Sequence, residues 1–378
     1  MKRIIAPILS AMVGLFGYTI VDTAIEARVT SVENELVALK SEVSMLRGEV
    51  SEYHAMKPDC PTTEIPATEP TTVIPTTTEP ANGSDLSTIR IDVGTGGSTG
   101  TYYSFCNAIA TTLKEKTGAN LMILSSGASK ANILNIDKGI VDMAIVQNDV
   151  MDYAYNGTSL FTDVGAIDSF STLGAAYAEV CQIVAKADSG IKTVADLKGK
   201  KVSVGDSGSG VEFNAQQILG AYDITFADID KQNLSFQASA DALKDGKIDA
   251  FFCTAGAPTV AITDLSTRTD IVLVEIDAEH LAKLQDDYGF YAAYTVPAGT
   301  YNGIDTDAQT VAVKATFIVS NDLDEETVYQ LTKAIYENKD EYSHDKASEM
   351  SLEYAVSSIS VPFHPGAERY FKEVGAIS

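Results

Sequence analysis

Hydrophobic positions divide the chain into three stretches of different rhythm. The first is an uncharged run from Ile4 to Val21, preceded by Lys2-Arg3 and ended by Asp22. As a helix it would be about 27 Å long, just enough to cross a bilayer core. The basic pair before it would stay in the cytoplasm and the rest of the chain would be exported. Residues 1–22 are therefore expected to be a membrane anchor. A cleaved signal peptide is the competing reading, but Asp22-Thr23-Ala24 and Ile25-Glu26-Ala27 both lack a small residue at the upstream position.

The second rhythm has period 3.5. Apolar residues at Ile25, Val29, Val32, Leu36, Leu39, Val43, Leu46, Val50 and Tyr53 alternate gaps of four and three without a break. Val29, Leu36, Val43 and Val50 fall at a, and Val32, Leu39, Leu46 and Tyr53 at d. Glu35, Glu42 and Glu49 occupy g, while Lys40, Arg47 and His54 occupy the following e positions. Residues 23–57 thus predict a parallel coiled coil holding a homo-oligomer of two or three strands. Residues 58–85 are Pro/Thr-rich and cannot pack a core, so they read as an extended stalk. Cys60 in this stalk is either an interchain disulfide or a free thiol.

From Leu86 onward, short β-branched runs alternate with helical stretches. Ile89–Val93, Leu121–Leu124, Met143–Val146, Val202–Gly205, Ala250–Cys253, Ile271–Ile276 and Val311–Val319 read as strands. Tyr102–Lys116, Lys130–Lys138, Val194–Leu197, Glu212–Tyr222, Ala238–Asp245 and Glu325–Tyr342 read as helices. Such alternation predicts an α/β fold with mostly parallel strands and helices on both faces. Ligands then bind at the C-terminal strand ends, against helix N-termini.

Composition narrows the function. The chain has 378 residues, with 52 acidic and 27 basic side chains and a net charge of −25, which argues against nucleic-acid binding. The first 84 residues carry 6 basic and 11 acidic groups, leaving the body at 21 basic and 41 acidic. Four histidines and four cysteines are widely spaced, with no pattern that suits a metal or a redox dithiol. No cofactor is expected. Cys106, Cys181 and Cys253 lie in apolar contexts and read as buried thiols, with a Cys181–Cys253 bridge as the alternative.

Three strand-to-helix turns are rich in Gly, Ser and Thr: Gly94–Tyr103, Ser125–Asn132 and Gly205–Gly210. Glycine admits close approach of a ligand to the backbone, and a helix N-terminus favours an anion. Nucleotide motifs fail in detail. The third glycine of a dinucleotide fingerprint is replaced by Thr99, the acid expected after the next strand is absent, and no Gly-Lys-Ser/Thr loop occurs in these turns. No nucleophile elbow with a served histidine is present, so an enzyme is not expected.

The segments IDVGTGGSTGTYYSFCNAIA, SSGASKANILNIDKGIVDMAIVQND, DLKGKKVSVGDSGSG, ALKDGKIDAFFCTAGAP and PFHPGAERYFKEVG, in this order over residues 88–378, resemble the TAXI family, the extracytoplasmic solute receptors of TRAP transporters. The resemblance implies a two-lobed, type II periplasmic-binding-protein (Venus flytrap) fold. It also implies no catalysis, and delivery of a small organic anion, a glutamate-like amino acid or a dicarboxylate, to a TRAP permease. The anchor and coiled coil would tether this receptor to the outer face of the cytoplasmic membrane. The alternative is a membrane-tethered sensing ectodomain.

Within this frame the chain is expected to pass between lobes near Ala178–Gln182 and Tyr294–Tyr301. Residues 86–180 and 300–378 would form lobe I and residues 181–299 lobe II. Ligand-binding candidates from lobe I are Gly97, Ser98, Thr99, Tyr102, Ser126, Asn132, Gln147 and Asp149. From lobe II they are Ser207, Ser209, Gly210, Ala255 and Gly256, and Tyr291 near the second passage is expected to reach the cleft. Asp149 either holds a ligand amino group or caps the next helix. The body's arginines, Arg90, Arg268 and Arg369, all lie away from the turns. The segment His364–Ala367 is expected to start the last helix.

Overall fold

The computed structural model describes residues 86–378. The expected anchor or signal peptide, the coiled coil with its oligomer, the stalk and Cys60 lie outside the described residues. Among the described residues no helix is long and apolar enough to cross a membrane.

The chain builds one topological unit twice. The first comprises β1 (Arg90–Gly94), α1 (Thr101–Thr117), β2 (Asn120–Leu124), α2 (Ser129–Asp137) and β3 (Met143–Gln147), followed by α3 (Asn148–Asn156). β1 lies between β2 and β3, parallel to both. After the long strand β4 (Phe170–Lys186), the pattern recurs as β5 (Lys201–Ser203), α4 (Gly210–Ala221), β6 (Asp230–Gln232), α5 (Phe236–Lys244) and β7 (Ala250–Ala255). β5 again sits between β6 and β7, parallel to both. Then come α6 (Val260–Ser266), β8 (Ile271–Leu273), α7 (Ala278–Asp287), β9 (Ala292–Val296) and β10 (Ala308–Ser320). α8 (Glu325–Glu337), α9 (Leu352–Val356) and α10 (Pro365–Glu373) end the fold.

β4 and β10, antiparallel to each other, lie between the two units in the sheet order β2-β1-β3-β10-β4-β7-β5-β6. Each serves two hydrophobic cores. Along β4, Leu173, Ala176 and Tyr177 pack with Phe105 and Phe317, whereas Cys181, Ile183 and Ala185 pack with Val202, Ile218 and Phe252. Along β10, Val311 and Val313 belong to the second core and Ala315, Phe317 and Val319 to the first. The second change of core therefore falls at Val313–Ala315 and not at Tyr294–Tyr301. Most of that segment is β9 and the turn after it, with β9 paired along β10 as a hairpin partner.

β4 escaped the pattern reading because it is buried along nearly its whole length. A strand covered on both faces shows a continuous apolar run instead of alternation. Cys181 and Cys253 are buried free thiols. Cys181 faces Thr254 and Cys253 faces Gln182, so the two cysteines project to opposite faces of the sheet, into different cores, and cannot bridge. The last helix starts where expected, with His364 as N-cap and Pro365 inside the first turn. Gly366 lets α10 press on α8, since a Cβ there would lie 2.2 Å from the Glu325 carbonyl oxygen.

Candidate functional site

The C-terminal ends of all six parallel strands converge on one cavity of about 310 Å³. The β1–α1 loop contributes Gly96–Tyr102, the β2–α2 loop Ser125–Ser129, and the end of β3 Gln147. The second unit contributes Asp206 and Ser209–Val211 after β5, Ser235–Gln237 after β6, and Thr254 and Ala255 at the end of β7. Glu179 of β4 completes the lining. The two units touch at its edges. A Cβ on Gly210 would lie 2.1 Å from Gln147 Oε1, and one on Gly100 would lie 3.7 Å from the Phe236 ring.

The β1–α1 loop is built as a donor. Gly100 N–H closes a turn onto the Gly97 carbonyl (2.9 Å), and α1 starts at Thr101 without a side-chain cap. The N–H groups of Gly97, Ser98 and Thr99 take no partner among the described residues. Free amides beside an uncapped helix start favour a carboxylate. In the next loop Ala128 adopts φ 64°, ψ −147°, a strained backbone for a residue with a side chain. Ser126 Oγ holds that loop, accepting the Ala128 N–H at 3.0 Å and lying 2.6 Å from Asn132 Oδ1.

Of the residues nominated from sequence, Gly97, Ser98, Thr99, Tyr102, Ser126, Gln147, Ser209, Gly210 and Ala255 line the cavity. Five do not. Asn132 is fully buried beneath it, donating from Nδ2 to the carbonyls of Thr95 (2.7 Å) and Ile145 (2.9 Å), and so supports the loops instead of meeting ligand. Asp149 accepts the Val150 N–H (2.9 Å) and Asn214 Nδ2 (3.2 Å). Ser207 is exposed at the outer side of its turn. Gly256 is buried against the first unit, its carbonyl accepting Thr101 Oγ1 at 3.0 Å, and a Cβ there would lie 2.7 Å from Lys346. Tyr291 is buried; its hydroxyl accepts from Asn214 (3.0 Å) and donates to Gln217 (2.6 Å).

The sequence reading missed Glu179, Asp206 and Phe236. Glu179 had one usable signal, a lone acid inside the apolar run from Ala175 to Val184. It is 2% exposed. Oε2 accepts the hydroxyl of Tyr102, while Oε1 has no hydrogen-bond donor among the described residues. Burial pushes its carboxyl up to about 8; the Tyr102 hydrogen bond opposes this, nearby Asp149 adds to it, and Lys346 opposes it. Burial likewise raises Asp149 to about 7, against the Val150 and Asn214 hydrogen bonds, and raises Asp206. Among the described residues no lysine or arginine lines the cavity. Arg90 pairs with Asp92 at 2.8 Å, and Arg369 with Glu325 and Glu326 at 2.9 and 2.5 Å.

The geometry is thus that of an α/β fold with a ligand cavity where two repeated units face each other. The chain belongs to the NMT1-like family, whose model matches residues 93–375. Among solved structures it is similar to the periplasmic aliphatic sulphonate binding protein SsuA of Escherichia coli (13% identity, 75% of this chain and 82% of that one, TM-score 0.42). It is also similar to the alkanesulfonate-binding protein SsuA of Xanthomonas axonopodis pv. citri bound to MOPS (14%, 75% and 83%, TM-score 0.46). A third is a substrate binding protein of an amino acid ABC transporter (18%, 68% and 96%, TM-score 0.41).

Proposed function

We propose that the protein is an extracytoplasmic solute receptor of the TAXI type, which captures a small organic carboxylate between two lobes and delivers it to a TRAP permease. The observation that carries this reading is the cavity itself. It is enclosed by both repeated units, sits at every parallel strand's C-terminal end, and offers free backbone amides without a nucleophile–base pair. Lobe I is proposed to include residues 86–180 and lobe II to begin at 181. The return is placed at Val313–Ala315 in β10, later than the sequence suggested. Closure is a rotation about β4 and β10, and β4 carries extra residues at Ala176 and Leu173, opposite Ala315/Thr316 and Phe317/Ile318, that would absorb it.

In this reading the ligand carboxylate rests on Gly97–Thr99 and the start of α1, with no arginine clamp. The protein catalyses nothing. The anchor and coiled coil hold it, as a parallel oligomer, on the outer face of the cytoplasmic membrane. The test is a thermal-unfolding screen of the full chain in detergent micelles against amino acids, mono- and dicarboxylates, NAD and ATP. A carboxylate at a hundred times its Kd should add about 2.7 kcal/mol. Stabilisation by NAD or ATP, with none from any carboxylate, would refute the assignment.

A further inference from the structure

Unpartnered donors and acceptors lie on different strands of the cavity in the first unit and β4. On the β1 side are the donors: the partnerless N–H groups of Gly97, Ser98 and Thr99. On the β3 and β4 side are the acceptors. Glu179 Oε1 receives no hydrogen bond among the described residues, and Gln147 Oε1 is a buried oxygen without a partner. Both residues line the cavity from strands on either side of β10, since Gln147 and Tyr177 both pair with Ala315, and Glu179 lies one pleat beyond Tyr177. A buried acceptor left without a donor is costly, and a buried carboxylate more so.

Among the described residues no lysine or arginine lines this place. Lys346, the lysine whose charge Glu179 feels, is spent on Glu349 Oε1 at 2.5 Å and does not line the cavity. Lys130, on α2, donates to the Leu160 carbonyl at 2.6 Å. Tyr102 already gives its one hydroxyl proton to Glu179. Once ionised, Glu179 needs donors and a counter-charge, and a primary ammonium group brings three donors together with that charge.

We propose that the cavity selects a zwitterion: a primary ammonium received by Glu179, one carboxylate held by Gly97–Thr99, and an uncharged stem against Tyr102 and Phe236. This inference rests on the solute-receptor reading above and narrows its ligand from small organic anions to amino acids with a single carboxylate. A dicarboxylate of the same length would set its second carboxylate beside Glu179, where burial weakens screening and no cation compensates.

Calorimetry on the full chain in micelles tests this. The panel holds the uncharged-side-chain L-amino acids, 4-aminobutanoate, 5-aminopentanoate, L-glutamate, succinate, glutarate and 2-oxoglutarate. The tightest ligand should be an amino acid with one carboxylate, and its des-amino analogue should bind at least a hundredfold more weakly. Glu179→Gln should weaken the amino acid by at least a hundredfold while leaving the des-amino analogue within threefold. The analogue comparison uses the native protein and so stands even where the variant does not fold. A dicarboxylate or L-glutamate as the tightest ligand, or an unchanged affinity in Glu179→Gln, overturns the inference and leaves the receptor reading intact. Binding by no member of the panel overturns both.

Discussion

The two repeated units present equivalent loops to the cavity, yet they treat their own backbone differently. After β1, Gly97, Ser98 and Thr99 leave their amides free and α1 has no side-chain cap. After β5, Ser209 Oγ caps α4 by accepting the Glu212 N–H at 3.3 Å, and Glu212 Oε2 takes the Gly208 N–H at 2.6 Å. Glu212 is itself held by Lys231 at 2.5 Å. The Gly208 amide and the start of α4 are thus engaged from within the loop, although the amides of Gly205, Asp206 and Ser207, like those of Gly97–Thr99, have no partner among the described residues. Similar Gly/Ser strings therefore start their helices differently: Ser209 caps α4, while α1 has no side-chain cap, and in the proposed reading the first loop carries the ligand carboxylate.

The sharpest way to break this comparison is Gly97→Val. A Cβ at Gly97 has no heavy atom within 4 Å, so the side chain fits the empty protein and occupies ligand space. Affinity for the best ligand of the panel should fall by at least a hundredfold, or about 2.7 kcal/mol, with circular dichroism unchanged. Gly208→Val is no counterpart. Gly208 sits at φ +74° and off the cavity, so valine there would strain the backbone.

Next in size is the response to pH. The titratable groups that interact with Glu179 are Tyr102, Tyr177, Asp149, Lys346, Tyr354, Cys181 and Cys253. Of these, Asp149 also carries a carboxyl raised into the neutral range. In the empty protein Glu179 holds its proton up to about 8, and Asp149 up to about 7. Both sit above their unfolded values, so their contribution to stability is complete below about pH 4 and is lost as pH rises toward 8. The unfolding temperature without ligand should therefore fall from pH 5 to pH 8. An ammonium ligand has the opposite preference, because it favours the ionised Glu179. Its affinity should rise by up to about tenfold per pH unit between pH 6 and 8. Calorimetry at pH 7 in buffers of different ionisation enthalpy should show a proton released on binding; a flat profile would remove Glu179 from the ammonium site.

How far the sequence could disclose this difference follows from the residues. The alternation of strands and helices was readable because its β-branched runs are short and bounded by glycine. The three Gly/Ser turns were readable as strand-end loops for the same reason. What could not be read was which loop caps its own helix, since Ser209 and Ser98 look alike until the positions of Glu212 and Lys231 are known. Glu179 was hidden because β4, covered on both faces, gives no period on which to place an inward residue. Asp149 and Tyr291 were drawn to the cleft by proximity in sequence to a strand end and a passage. In three dimensions each turns into a buried polar cluster with Asn214.

A smaller contrast compares the fourth residue of α2 with the fourth of α5, both fully buried. Asn132 ties together β1, β2 and β3 through Thr95, Ser126 and Ile145, whereas Ser239 Oγ meets only Ser203 Oγ at 2.8 Å and Leu234 O at 3.4 Å. Asn132→Ala removes two buried hydrogen bonds, although the Thr95 carbonyl keeps the Ser126 hydroxyl at 2.7 Å, and should cost about 2–3 kcal/mol in denaturant unfolding, with affinity lowered as the first loop loosens. Ser239→Ala should cost about 1 kcal/mol and leave affinity within threefold. Equal losses of affinity in the two variants would show that both units position ligand alike.

The smallest effect belongs to Ser209→Ala, which probes the second loop directly. Ser209 lines the cavity, so a ligand-binding role would place its hydroxyl on the ligand. Its geometry gives that oxygen another duty, since it accepts the Glu212 N–H and opens α4. Losing a serine N-cap costs about 1 kcal/mol of stability. The Lys231–Glu212 pair would keep the Gly208 amide engaged, so the loop should hold its shape. The unfolding midpoint should therefore drop while the Kd for the best ligand of the panel stays within threefold. A tenfold weaker Kd at an unchanged midpoint would mean that the hydroxyl serves the ligand and not the helix. The second unit would then bind as the first does.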